Sequence, residues 1–136
     1  MEQKQTRWAQ RVEVVNVIYQ DILTNHTNKK SNVLSQCFEE LNFNQDQMKI
    51  VEQYFNDWQE TDKQVIALLK PTWPYNRMNA LTKAIIHVAV SESHILDTPK
   101  SILIDQALIT CDHRGITKDK KFINAILDKL IKAKKK

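Results

Sequence analysis

A single glycine in 136 residues, Gly115, constrains this chain more than any other feature. Glycine adopts positive φ without steric cost, so hairpin turns, bulges and phosphate-cradling loops draw on it repeatedly. With one glycine, and prolines only at 71, 74 and 99, β-rich folds and dinucleotide or P-loop sites are poor solutions. Long helices joined by polar loops are the economical answer, and an all-α fold is expected. Apolar residues at 42% and charged residues at 26% suit a globular chain. The length suits one domain, 1–136, with its own core and a frayed basic tail at 133–136.

Hydrophobic periodicity places the helices. Over 5–24, Val15, Ile18 and Ile22 form a stripe that Val12, Val14, Val17 and Tyr19 widen until nearly every side is apolar, which predicts a central helix. Arg7 and Arg11 continue the stripe upstream and are expected to emerge where the core ends. Residues 25–32, NHTNKKSN, read as a polar loop, with Ser31 or Asn32 capping a short helix over 33–42. Asn44 and Gln47 have capping-box spacing and open a longer helix to about Leu69, with a break near 60–62. Pro71 and Pro74 end that run. Asn76 or Asn79 starts the next helix, through about Ile95, apolar nearly all round but interrupted by His87 and Glu92. Those two are expected either to be partly buried with hydrogen-bond partners or to line a docking surface. Thr98-Pro99 gives a cap followed by a first-turn proline for 99–112. Arg114-Gly115 stops that helix, and Thr117 is expected to cap the last one.

Charge is unevenly placed. The net is +4, yet residues 114–136 carry nine Lys/Arg against Asp119 and Asp128, leaving the rest of the chain at −3. Wound as a helix, 118–136 separates Phe122, Ile123, Ile126, Leu127, Leu130 and Ile131 from a stripe of Lys118, Lys121, Lys129, Lys132 and Lys136. Phe122 sits at the seam. A basic face is most often only a solvated one, and the first apolar residue of a helix is ordinarily a core anchor. The concentration of charge at one end nevertheless favours an anionic partner there. Trp8, Trp58 and Trp73 read as packing residues, with base stacking the alternative for Trp8 between its two arginines.

Nothing in the chain has the layout of a catalytic centre. His26, His87, His94 and His113 fall on different elements, and Cys111-Asp112-His113 matches no zinc spacing. No serine, cysteine or carboxylate pair stands in a nucleophile or acid–base setting. A non-enzymatic protein without metal or cofactor is expected. Two cysteines without framework spacing, no signal peptide and no membrane-length apolar run point to reduced thiols in a cytoplasmic protein.

Read in order, LTKAIIHVAVSE, TPKSILIDQALITC and HRGITKDKKFINAILDKLI resemble the C-terminal half of the NusB family. Its ILR-A-YE, INEAVELAK and F-V-N-G-V-L-D-K helices follow one another in the same way. RWAQRVEVVNVIYQ, over 7–20, is similar to the family's arginine-rich first helix, ending on an ALQALY-like core with Tyr19. The motifs cover roughly half the chain. The resemblance implies two small helical bundles packed together, about six to seven helices in all. It implies a role in transcription antitermination, binding boxA-type single-stranded RNA together with NusE, a ribosomal small-subunit protein, and the transcription machinery, with no membrane partner. By position, RNA contacts fall on Arg7, Arg11, Gly115, Lys118, Lys121, Phe122 and Asn124, and Lys83 and His87 fall on the partner-docking segment. The departures are specific. Trp8, Ala9 and Gln10 interrupt the arginines, His87 replaces the ILR arginine, Asp105 stands one position from the INEA acid, and Ala125 replaces the F-V-N-G glycine. Alternatives are a diverged helical interaction module without boxA recognition, and a stand-alone relative of the NusB-like domain of rRNA cytosine methyltransferases. A joint RNA site requires the starts of the first and last helices to be neighbours.

Overall fold

The computed structural model describes residues 6–69 and 78–132. Over these, six α-helices and one short 3₁₀ turn account for the regular structure: α1 (Arg7–Leu23), α2 (Lys30–Glu39), α3 (Gln45–Leu68), α4 (Ala80–Ile95), α5 (Lys100–His113), the 3₁₀ turn (Thr117–Asp119) and α6 (Lys120–Leu130). Pro71, Pro74, Trp73, Asn76 and the tail 133–136 lie outside the described residues.

α4 is the axis of the molecule. It packs against α1, α3, α5 and α6, so α1–α3 and α4–α6 form two three-helix groups that meet along it. Its run of Leu81, Ala84, Ile85, Ile86, Val88, Ala89 and Val90 is buried on all faces, as a helix with several neighbours must be. Each fully buried aliphatic side chain there contributes roughly 1.5–3 kcal/mol of transfer free energy. α6 is the most sharply two-faced helix, with Ile123, Ile126 and Leu127 buried and Asn124, Ala125 and Asp128 exposed. Cys37 and Cys111 are buried free thiols, and burial pushes both up to about 11.

The first helix is less central than its composition predicts. Val14, Val15 and Ile18 are buried against α3 and α4, while Val12, Val17, Tyr19 and Ile22 are only partly covered. At Val17, α2 packs on α3 and leaves a cleft of about 690 Å³ beside α1, lined by Val17, Gln20, Asn32, Val33, Gln36 and Phe43.

Other boundaries also differ from expectation. α2 begins at Lys30, and neither Ser31 nor Asn32 caps it; the N-cap, Lys29, makes no side-chain cap bond. The loop is short because two successive left-handed residues, Asn25 (φ 54°) and His26 (φ 59°), turn the chain sharply. His26 is fixed there by Asp21 Oδ2, 2.7 Å from its Nδ1, and by stacking on Trp58 at 3.6 Å between centroids. The Asn44–Gln47 capping box forms with both reciprocal bonds. α3 then runs unbroken through 60–62, because Thr61 and Val65 are buried and Asp62 Oδ1 lies 2.9 Å from His87 Nε2 on α4. Asn79 caps α4 through Leu81 N–H. At α5, Pro99 occupies the N-cap position and Thr98 makes no cap; its hydroxyl donates to Glu92 Oε2 at 2.6 Å. Thr117 likewise opens the 3₁₀ turn rather than capping α6.

Candidate nucleic-acid interface

The site begins with the way α1 is seated. Trp8 Nε1–H donates to Thr110 Oγ1 at 3.1 Å, and its ring meets His113 edge-on at 4.9 Å. Trp8 is therefore a packing residue between α1 and the end of α5. One turn on, Arg11 forks onto Glu92, with Nε and Nη2 each 2.8 Å from a carboxylate oxygen, and Nη1 reaches Gln106 Oε1 at 3.1 Å. The pair is nearly dry, with side-chain exposures of 13% and 1%. Arg11 thus does not emerge where the core ends: it locks α1 to α4 and α5. Arg7 does emerge. Its side chain is 72% exposed and touches Asp46 Oδ2 at 3.3 Å, a surface contact of the kind that contributes about 0–1 kcal/mol. Beside it a cleft of about 680 Å³ opens against the α4–α5 connection, lined by Arg7, Trp8, Asp46, Asp97, Thr98 and Ile102.

The second half of the site is the α5–α6 turn. Gly115, at φ 77°, lets the chain leave α5. Arg114 Nη1–H donates to Asn16 Oδ1 on α1, so the turn lies against the helix whose first residues carry Trp8 and Arg7. Ile116 is buried beneath it. Thr82 on α4 donates to Asp119 Oδ2 at 2.7 Å, tying the front of α6 to the axis. Asp112 accepts from the Thr117 hydroxyl at 3.0 Å and from Lys120 Nζ at 2.8 Å. Lys120 first and Thr117 second hold its carboxyl below the usual range. From this frame Lys118, Lys121 and Asn124 are exposed, and Phe122 is half-buried with its ring packed on the core. The start of the first helix therefore meets the end of α5, and the turn that leads into the last helix is held against α1, through Trp8–His113 and Arg114–Asn16.

The two residues of the docking segment differ in exposure. His87 is 2% exposed, against Asp62 and edge-on to Tyr54, so it is not on a surface. Lys83 is half-buried; burial lowers its pKa and Asp62 opposes that shift. Sequence reasoning weighed Asp112 only as a metal ligand and gave Lys120 no role. Their signal was an acid in the last turn of one helix and a lysine at the start of the next, legible only once the turn is closed. Among the described residues no group of three or more His, Cys, Asp or Glu is placed to hold a metal ion, Cys111-Asp112-His113 included. No helix described is long and apolar enough to cross a membrane.

The sequence profile of the NusB family matches residues 9–132, nearly the whole chain. The chain belongs to the NusB family. That family consists of transcription factors, not enzymes. The transcription antitermination protein NusB of Helicobacter pylori is 28% identical over 130 residues, 93% of each chain. An uncharacterized Mycoplasma pneumoniae protein, the MG027 homolog, is 44% identical over 55 residues, and that match spans 40% of this chain and 33% of the relative. Among solved structures, Thermotoga maritima NusB superposes with a TM-score of 0.77 at 19% identity, covering 95% of this chain and 92% of that one. A Mycoplasma genitalium protein described as structurally homologous to NusB proteins gives 0.72 at 24% identity, covering 86% and 92%. At these identities the structures speak for the fold: this NusB-family chain is all-α, with the family's helical architecture.

Proposed function

We propose that this NusB-family protein is an RNA-binding transcription antitermination factor. In this reading it takes boxA-type single-stranded RNA across the start of α1 and the α5–α6 turn, in company with a NusE-type ribosomal protein. The observation that carries the reading is the joining of those two segments through Trp8–His113 and Arg114–Asn16. Arg7, Lys118 and Lys121 are exposed cations that neutralise phosphates. Phe122, half-buried at the border of the basic face, is the aromatic placed to contact a base, and Asn124 offers edge hydrogen bonds. Gly115 supplies the turn. Arg11, engaged by Glu92 and Gln106, contributes by holding α1 in place rather than by meeting phosphate. The NusE-type partner meets Lys83 through its half-exposed part, and His87 only through the helix it stiffens.

Three phosphate contacts on a single strand give a slope of about −2 for log affinity against log salt. Titration of boxA-type RNA at two salt concentrations, with and without the cognate NusE protein, is expected to show that slope. Replacing Lys118 and Lys121 together by alanine leaves the fold intact and reduces the slope toward −1. Phe122→Ala loses a stacking contribution of about 1–3 kcal/mol. Affinity unchanged in both variants, or no binding even with NusE present, would favour a helical interaction module without boxA recognition.

A further inference from the structure

Asp112 is the one carboxylate on the α5–α6 turn that faces basic side chains, and its position is unfavourable twice over. It occupies the last turn of α5, where the helix dipole disfavours an acid, and it lies beside Lys120 at the turn whose chain also carries Arg114, Lys118 and Lys121, where its charge would repel a polyanion. The other acid of the turn, Asp119, is engaged by Thr82 on α4. What Asp112 gains in return is geometric. Its Oδ1 accepts from the first residue of the 3₁₀ turn, Thr117, and its Oδ2 from the first residue of α6, Lys120, at 3.0 and 2.8 Å. Both bonds clip the chain back onto α5, and between the two clipped residues lies Lys118; Lys121 follows at once.

We propose that Asp112 is a positioning residue for RNA. By clipping Thr117 and Lys120 it fixes the turn before RNA arrives, and the preorganisation outweighs the repulsion its charge adds. The inference rests on the RNA reading above. A turn left loose must lose its freedom on binding and weakens the complex; a turn already ordered does not. Lys120 is accordingly a structural cation, its charge spent on Asp112, while Lys118 and Lys121 are presented.

Asp112→Asn and Asp112→Ala test this, because both remove the same charge and the ion pair with Lys120, and only asparagine keeps one acceptor oxygen, the one that holds Thr117. The site is exposed, so neither variant is expected to change the thermal midpoint. With boxA-type RNA at one salt concentration, Asp112→Ala is expected to bind about five-fold more weakly than Asp112→Asn. In the absence of RNA, the amides of 117–121 are expected to exchange faster in Asp112→Ala than in Asp112→Asn. Equal affinities for the two variants, against a wild type that binds, would overturn the inference alone and leave Asp112 as simple electrostatic repulsion. A wild type that binds no such RNA overturns the RNA reading, and this inference with it.

Discussion

Arg11 shows how much one side chain can decide. A guanidinium forked onto a carboxylate that is 1% exposed is an ion pair removed from water, further satisfied by Gln106 on the arginine and Thr98 on the acid. Such a pair adds little net stability over an apolar replacement, but breaking it strands a buried charge at a cost of about 3–5 kcal/mol. Arg11→Ala is therefore expected to lose about that much in urea unfolding, whereas Lys121→Ala stays within about 0.5 kcal/mol of wild type. Arg11→Lys keeps the charge and loses the fork, and should fall between. This role was not legible in the sequence. The stripe over 7–22 correctly aligned Arg11 with the buried face, but periodicity stops at Cβ and cannot say that a long side chain turns inward. The acid that draws it in is 81 residues away. Arg7, on the same face one turn earlier, does emerge, with a side chain 72% exposed.

At the scale of the element, local chemistry was readable wherever the partners are close in sequence. The capping box is the clearest instance: Gln47 N–H donates to Asn44 Oδ1 at 2.8 Å, and Asn44 N–H to Gln47 Oε1 at 2.9 Å. Asn44→Ala is expected to cost about 1 kcal/mol in thermal or urea unfolding, with α3 otherwise unchanged by circular dichroism. Gly115 as the stop of α5 and Asn79 as the cap of α4 belong to the same class. Expectations failed where a distant group claimed the capping side chain. Thr98 turns to Glu92, and Thr117 turns to Asp112, so neither caps the helix that follows it. The break read near 60–62 is absent for a related reason. Polar residues there look like a loop, yet Asp62 has His87 across the α3–α4 seam and Thr61 is buried beside it.

At the scale of the whole molecule, α4 sets the arrangement. It is covered on every face, by α1, α3, α5 and α6. The chain order then brings the end of α5 against the start of α1, and the one glycine turns α6 away from that contact. The all-helical class followed from composition, and the family from ordered motifs. The joining of the two candidate RNA segments did not, since it depends on Trp8 meeting Thr110 and His113, about a hundred residues on. That joining is the central claim, and amide chemical-shift mapping during titration with boxA-type RNA tests it most directly. Arg7, Trp8 and their neighbours are expected to shift together with Gly115 to Asn124, with one midpoint. Shifts confined to one of the two segments, or spread over neither, would contradict it.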